Sequence, residues 1–266
     1  MADVFRAVWV VSYRELLRFI QERSRIFSSL AMPLLFLVIF GAGFTRIIGA
    51  MTQGVDFIQF IYPGIIAMTV LMNSVMSGLS VVWDREFGFL KEILVAPLGR
   101  SGIVLGKAAG SATVSVAQGI IMLILAPVLG ISLSLIQVFQ LIPILIVISM
   151  SLSGLGVLIA SRMRSQQGFH LIVQLIIFPL IFLSGVFFPV NNVPTWLEVI
   201  SKINPLTYGV DAIRQLFLGS ELGGGDYVIG VTILGRTMTI LEDMLVVAVF
   251  GVIILSLAVW FFSKQE

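Results

Sequence analysis

Six long apolar stretches, at residues 28–48, 57–82, 103–130, 133–160, 170–188 and 241–262, occupy more than half of this 266-residue chain. None carries a charge in its central third. Each meets the roughly 20 residues that a helix needs to cross the hydrocarbon core of a bilayer. Alternating ten-residue strands are absent, so the backbone must satisfy its polar groups inside helices. The predicted fold is all-α, a single transmembrane domain over residues 1–266 with six membrane-spanning helices. Composition excludes the soluble alternatives: 58% of the residues are apolar and only 11% charged, against about 25% charged in an ordinary soluble domain. A net charge of +2 offers nothing to a nucleic acid. Without cysteine there is neither a disulfide nor a thiolate metal site, and no metal or cofactor is expected on the chain.

The basic residues set the orientation. Twelve of them (Arg6, Arg14, Arg18, Arg23, Arg25, Arg85, Lys91, Arg100, Lys107, Arg162, Arg164 and Lys264) fall on one side of the predicted spans. Only Arg46, Lys202, Arg214 and Arg236 fall on the other. The richer side is cytoplasmic by the positive-inside rule, so both termini are expected in the cytoplasm of a multi-pass protein of the cell membrane. Five arginines precede the first span and no small-residue cleavage site follows it, so that span does not read as a cleavable signal.

Two cytoplasmic segments carry structure of their own. Within residues 1–27 a helix over 3–27 puts Val4, Val8, Val11, Leu16 and Phe19 at helical spacing, with Arg14, Arg18 and Arg25 on the remainder. Such a helix is expected to lie in the membrane interface with its arginines toward anionic headgroups. Residues 84–100 alternate charges with Phe87, Leu90 and Leu94, which share one helical face, until Pro97 and Gly99 stop the helix. From spacing alone the segment is either a charged interfacial helix that fixes topology or a protein-docking surface. Ser101-Gly-Ile-Val-Leu-Gly-Lys-Ala108 is a poor phosphate loop, with serine for the first glycine and alanine for the Mg²⁺-binding hydroxyl. The chain is therefore not expected to bind nucleotide or to act as an enzyme.

The outer loop, residues 189–240, is too apolar to be hydrated throughout. Two short helices are expected at 194–203 and 205–218, with Asn204 capping the second and Pro205 at its first position. Neither can cross a bilayer, so together they predict a re-entrant hairpin dipping into the outer leaflet. Asp211 and Arg214 stand one helical turn apart and are spaced to pair.

These residues resemble a known family. The run Leu183-Ser-Gly-Val-Phe-Phe-Pro-Val-Asn-Asn-Val-Pro-Thr-Trp196, continued by Asn204-Pro-Leu-Thr-Tyr-Gly-Val-Asp-Ala-Ile-Arg214, is similar to the outer hairpin of the membrane subunit of type-2 ABC exporters. That group includes drug-resistance, nodulation-factor and polysaccharide export permeases. Pro205, Tyr208 and Arg214 occur in the family's order, and Asn204 and Asp211 lie within the same stretch. Arg85, Glu86, Gly88, Leu90, Glu92, Leu94 and Pro97 look like its coupling segment. The resemblance implies half of an ATP-driven exporter: a homodimer of permeases bound to two cytoplasmic ABC ATPase subunits, which hold ATP and Mg²⁺. Phe87, Phe89, Leu90 and Leu94 would then supply buried contacts to the ATPase, while Glu86, Lys91, Glu92 and Arg100 fix the register. The implied cargo is an amphipathic drug, a lipid or a lipid-linked glycan, moved out of the cytoplasm or inner leaflet by alternating access. Its implied path follows the first, second and fifth spans, with Asn73, Gln174, Phe178, Phe182, Phe187 and Phe188 as candidate lining. Asn73 and Gln174 serve equally as interhelical hydrogen bonds, and the phenylalanines as ordinary packing. Two other classes compete. An ion-coupled secondary transporter needs a titratable group at the midplane, where this chain has no carboxylate. A membrane-embedded transferase needs clustered acids or histidines, whereas Asp84 and Glu86 lie on the opposite side from Glu242 and Asp243.

Overall fold

The computed structural model describes residues 2–21, 27, 30–39, 57–88, 100–131, 133–219, 230–233 and 235–263. The described chain is mostly helical. In order it forms α1 (Ala2–Gln21), α2 (Leu30–Ile39), α3 (Phe57–Met76), α4 (Leu79–Glu86) and α5 (Arg100–Leu125). There follow α6 (Leu135–Arg162), α7 (Gln166–Phe182), α8 (Thr195–Ile203), α9 (Pro205–Leu218) and α10 (Ile240–Ser263). A short antiparallel ladder pairs β1 (Thr232–Ile233) with β2 (Arg236–Thr237) just before α10.

Among the described residues, four helical stretches are long and apolar enough to cross a membrane: Phe57–Glu86, Ser101–Leu125, Leu135–Arg162 and Ile240–Ser263. They correspond to the second, third, fourth and sixth expected spans. Of the first, 28–48, the described part is α2, and the fifth is α7, whose 17 residues differ from the expected 170–188. Seventeen residues rise about 26 Å, short of a hydrocarbon core of about 30 Å. This helix starts early because the Ser165 hydroxyl accepts from the Gly168 N–H at 3.2 Å. It stops at Phe182, ahead of a turn through Gly185 at a φ of 75° that no continuing helix tolerates.

α3 is the central element, buried along most of its length against α5, α6 and α9. The span it begins is not one uninterrupted helix as its apolar run suggested. It breaks at Ser77–Gly78 before α4 resumes. Here the chain crosses α6 backbone to backbone: a Cβ on Gly78 would meet the Gly156 carbonyl oxygen at 2.2 Å, and one on Gly156 would meet the Val75 oxygen at 2.1 Å. Small residues permit this approach, and dispersion between the two backbones holds it. Nearby, the hydroxyls of Ser74, Ser115 and Ser149, from α3, α5 and α6, close a triangle with sides of 3.3, 3.0 and 3.0 Å. Such interhelical bonds contribute about 0.6 kcal/mol each inside a membrane.

The turn between α5 and α6 is a tight hairpin. A 3₁₀ turn over Ala126–Leu129 ends on Gly130 at a φ of 77°. Ser134 then caps α6 in a reciprocal box with Gln137, an arrangement contributing about 1 kcal/mol.

α1 packs along α5. Ser12 Oγ donates to the Gly106 carbonyl at 3.3 Å, and a Cβ on Gly110 would touch Ser12 and Glu15. Phe19 is buried as the pattern implied, while Trp9, Tyr13, Leu17 and Ile20 form a second, exposed apolar stripe.

Candidate functional site

Polar side chains are buried at both ends of the bundle. At the end where α4 stops and α5 begins, Lys107 is 2% exposed, about two turns into an apolar helix. Its ammonium donates to Ser80 Oγ at 2.6 Å and to Asp84 Oδ2 at 3.3 Å. Arg14 of α1 approaches the same Asp84 oxygen at 3.8 Å and lies 3.6 Å from Glu15. One ionic cluster therefore joins α1, α4 and α5 at the end where α4 closes and α5 begins. Beside it, Arg85 donates to the carbonyls of Met163 at 2.6 Å and Ser161 at 3.2 Å. A cation on the last carbonyls of α6 satisfies groups that the helix leaves open and complements its dipole.

The opposite end is built around α8 and α9, which fall where the proline and asparagine pattern located them. Asn204 Oδ1 accepts from the Leu206 N–H at 3.0 Å, and its amide donates to the Leu180 carbonyl at 2.7 Å. Tyr208 donates to the Lys202 carbonyl at 2.6 Å, and Thr207 to that of Ser201 at 2.6 Å, folding the two helices on one another. Arg214, 2% exposed, reaches α3. Its Nη2 donates to the Gly185 carbonyl at 2.8 Å, and its guanidinium lies 4.0 Å over the Phe60 ring.

The expected Asp211–Arg214 pair does not form, because each side chain has turned to a different neighbour. Asp211 Oδ2 accepts from the Val231 N–H at 2.9 Å and from the Gln215 amide at 3.0 Å. Burial pushes the Asp211 carboxyl above its ordinary range, opposed by the Val231 N–H and by the charge of Arg214. The same Gln215 amide donates to Asp243 Oδ2 of α10 at 2.9 Å and to the Met238 carbonyl at 3.1 Å.

The other candidate residues separate into two groups. Of the coupling segment, Glu86 ends α4 exposed, Phe87 is 67% exposed and Gly88 has a φ of 80°. The helix expected to run on from 84 to 95 therefore closes at Glu86, since Gly88 takes the left-handed conformation that terminates helices. Phe89, Leu90, Lys91, Glu92, Leu94 and Pro97 lie outside the described residues, and Arg100 opens α5. Of the path candidates, Asn73 points inward and bonds to Gln118 of α5 and to the Thr69 carbonyl. That is the interhelical role. Gln174, Phe178 and Phe182 lie instead on the exposed face of α7. Phe187 stacks between Phe182 at 5.3 Å and Phe36 of α2 at 5.9 Å, and Phe188 is half-buried beside it. Asn73 and Gln174 are not brought together. An apolar groove of about 450 Å³ opens between α6, α7, α8 and α10, lined by Leu155, Pro179, Leu183, Ile203 and Phe250 among others.

Sequence reasoning missed Lys107, Gln118, Gln215 and Asp243. Lys107 carried a signal: an ionisable residue inside a span requires a named partner, and Asp84 was the available acid.

A bundle of apolar helices, with charge near its ends and a pair of short helices at one of them, defines a multi-pass membrane protein. Residues 6–218 match the ABC-2 type transporter family, and the chain belongs to it. The protein named transport permease ycf38 in Cyanophora paradoxa is 34% identical over 212 residues, covering 76% of this chain and 72% of that one. Nodulation protein J of Rhizobium meliloti (strain 1021) is 29% identical over 199 residues, 74% of this chain and 75% of that protein. The protein named multidrug ABC transporter permease YbhR in Escherichia coli (strain K12) is 34% identical over 170 residues, 61% of this chain but only 45% of its own length. The family and these relatives make the chain a transport permease.

Proposed function

We propose that the protein is the permease half of an ATP-driven exporter that carries an amphipathic drug, lipid or lipid-linked glycan out of the cytoplasm or inner leaflet. The observation that carries this reading is the buried cluster of Arg14, Asp84, Lys107 and Ser80. It ties three helices together at the root of the 84–100 segment, so a force on that segment reaches α1, α4 and α5 at once. Two separate ABC ATPase subunits dock there from the cytoplasm, holding ATP and Mg²⁺. Phe87, Phe89, Leu90 and Leu94 supply the apolar contacts, and Glu86, Lys91, Glu92 and Arg100 the charge register. Closure of the ATPase pair shifts the permease between inward- and outward-open states by differential affinity.

A second copy of the chain completes the pathway. The exposed apolar faces of α2 and α7 (Met32, Leu35, Leu171, Leu175, Phe178 and Phe182) adjoin through the Phe36–Phe187–Phe182 stack, and they support a homodimer seam there. Gln174 is the polar residue on that seam, and α8 and α9 cap it as a re-entrant hairpin in the outer leaflet. The two termini then face the cytoplasm of the cell that carries the protein.

The test is reconstitution with the ATPase encoded beside the permease. Glu86→Arg combined with Leu90→Ala is expected to abolish substrate-stimulated ATP hydrolysis while leaving the spans folded by circular dichroism. Unchanged stimulation in the assembled double variant, or transport by the permease without any ATPase, overturns the reading.

A further inference from the structure

Two carboxyl groups are buried beside one shared amide at the hairpin end, with no cation paired to either among the described residues. Asp211 is 2% exposed and Asp243 is fully buried. The single Gln215 amide nitrogen lies 3.0 Å from Oδ2 of one and 2.9 Å from Oδ2 of the other. The shared amide brings the two carboxyl groups side by side. Their remaining oxygens, Asp211 Oδ1 and Asp243 Oδ1, are both buried and have no hydrogen-bond donor. Two carboxylates present only acceptors, so the contact lacks a proton.

Among the described residues, no cation forms an ion pair with either carboxyl, although the charge of Arg214 acts on Asp211 from nearby. From α9, Arg214 is engaged with the Gly185 and Phe60 carbonyls, and Tyr208 with the Lys202 carbonyl. α10 adds Glu242, which is paired with Arg236 of β2. α3 contributes Tyr62, whose hydroxyl donates to the Met122 carbonyl, and α6 brings no titratable side chain to this end. The segment leading into β1 offers the Val231 N–H, already bonded to Asp211.

We propose that Asp211 and Asp243 bind one shared proton, forming an acid–carboxylate pair that fastens α9 to the start of α10. One carboxyl keeps the proton and donates it to the other, so that the pair holds a donor as well as acceptors. With Arg214 counted, the buried group is then electrically neutral. Loss of the proton leaves two like charges facing each other out of water, and the hairpin separates from the last span. Because two exposed aspartates of an unfolded chain release their protons at lower pH, the folded chain holds the extra proton. Its stability is therefore full in acid and falls as pH rises through the titration of the pair. In the proposed orientation the pair faces the outside of the cell and reads external pH.

The test needs neither ATPase nor substrate, so it is decided separately from the transport reading. Infrared difference spectra of the full chain in nanodiscs at neutral pH should contain the carbonyl stretch of a protonated carboxylic acid, disappearing as pH is raised. Asp243→Asn should remove that band and flatten the fall of Tm with rising pH, because an asparagine amide donates to Asp211 without a proton. Asp211→Asn should do the same. Absence of the acid band from the unaltered chain overturns the proposal even if neither variant folds. So does a Tm of the unaltered chain raised by Na⁺ or Ca²⁺ and lost in both variants, which would make the pair a cation site.

Discussion

The two ends of the bundle hide charge in different ways. At the α4–α5 end the acid Asp84 sits between the cations Lys107 and Arg14, and Ser80 takes up a further donor of Lys107. At the α9–α10 end the one guanidinium has turned to backbone carbonyls and two acids are left to each other. The first arrangement sets its acid between two cations by geometry. The second depends on what it binds. Attachment at one end thus rests on paired charges and at the other is conditional on the proposed proton.

The largest effect is expected where the matched charges are broken. Lys107→Met leaves Asp84 buried with only the more distant Arg14, and should cost about 3–5 kcal/mol in a mixed-micelle unfolding titration. Adding Asp84→Leu to it should restore most of that loss. A double variant no more stable than the single one would mean that the cluster is not an ion pair in energetic terms. Arg214→Lys tests the conditional end. An ammonium cannot reach both carbonyls while covering the Phe60 ring, and the expected loss by the same titration is about 1.5–3 kcal/mol. Gln137→Ala removes a bond of 2.8 Å to the Leu216 carbonyl that ties α6 to α9. The expected loss is about 1 kcal/mol, seen also as faster amide exchange in α9. The smallest effect belongs to Glu198→Ala, which breaks the Glu198–Lys202 pair at 2.5 Å. It should shift stability by no more than about 0.5 kcal/mol and serves as the baseline for the others.

The sequence disclosed most readily what depends on local pattern. α8 and α9 were legible from Pro194, Asn204 and Pro205, because capping and a fixed proline φ act within a few residues. The α5–α6 turn was legible for the same reason. Helix ends that depend on remote contacts were not. Neither the stop of α7 at Phe182 nor the break at Gly78 is written in hydropathy, since an apolar run reads alike whether its helix continues or bends. The Gly106, Gly110 and Gly156 spacings were visible but uninformative alone, because small residues are common in membrane helices. Only the partner that each touches, α1 for the first two and Val75 for the third, gives them meaning. The acid pair was hidden for a related reason: Asp211 and Asp243 are 32 positions apart, and nothing in either's neighbourhood announces the other.

The bare crossing of Gly78 over Gly156 also divides α6 into unequal lengths. From Gly156 to the Ser161 carbonyl that Arg85 grips is about 8 Å, and from Gly156 back to Gln137 is about 28 Å. A rigid tilt of α6 about this crossing, by about 1 Å at Arg85, would therefore carry Gln137 by roughly 3–4 Å in the opposite direction.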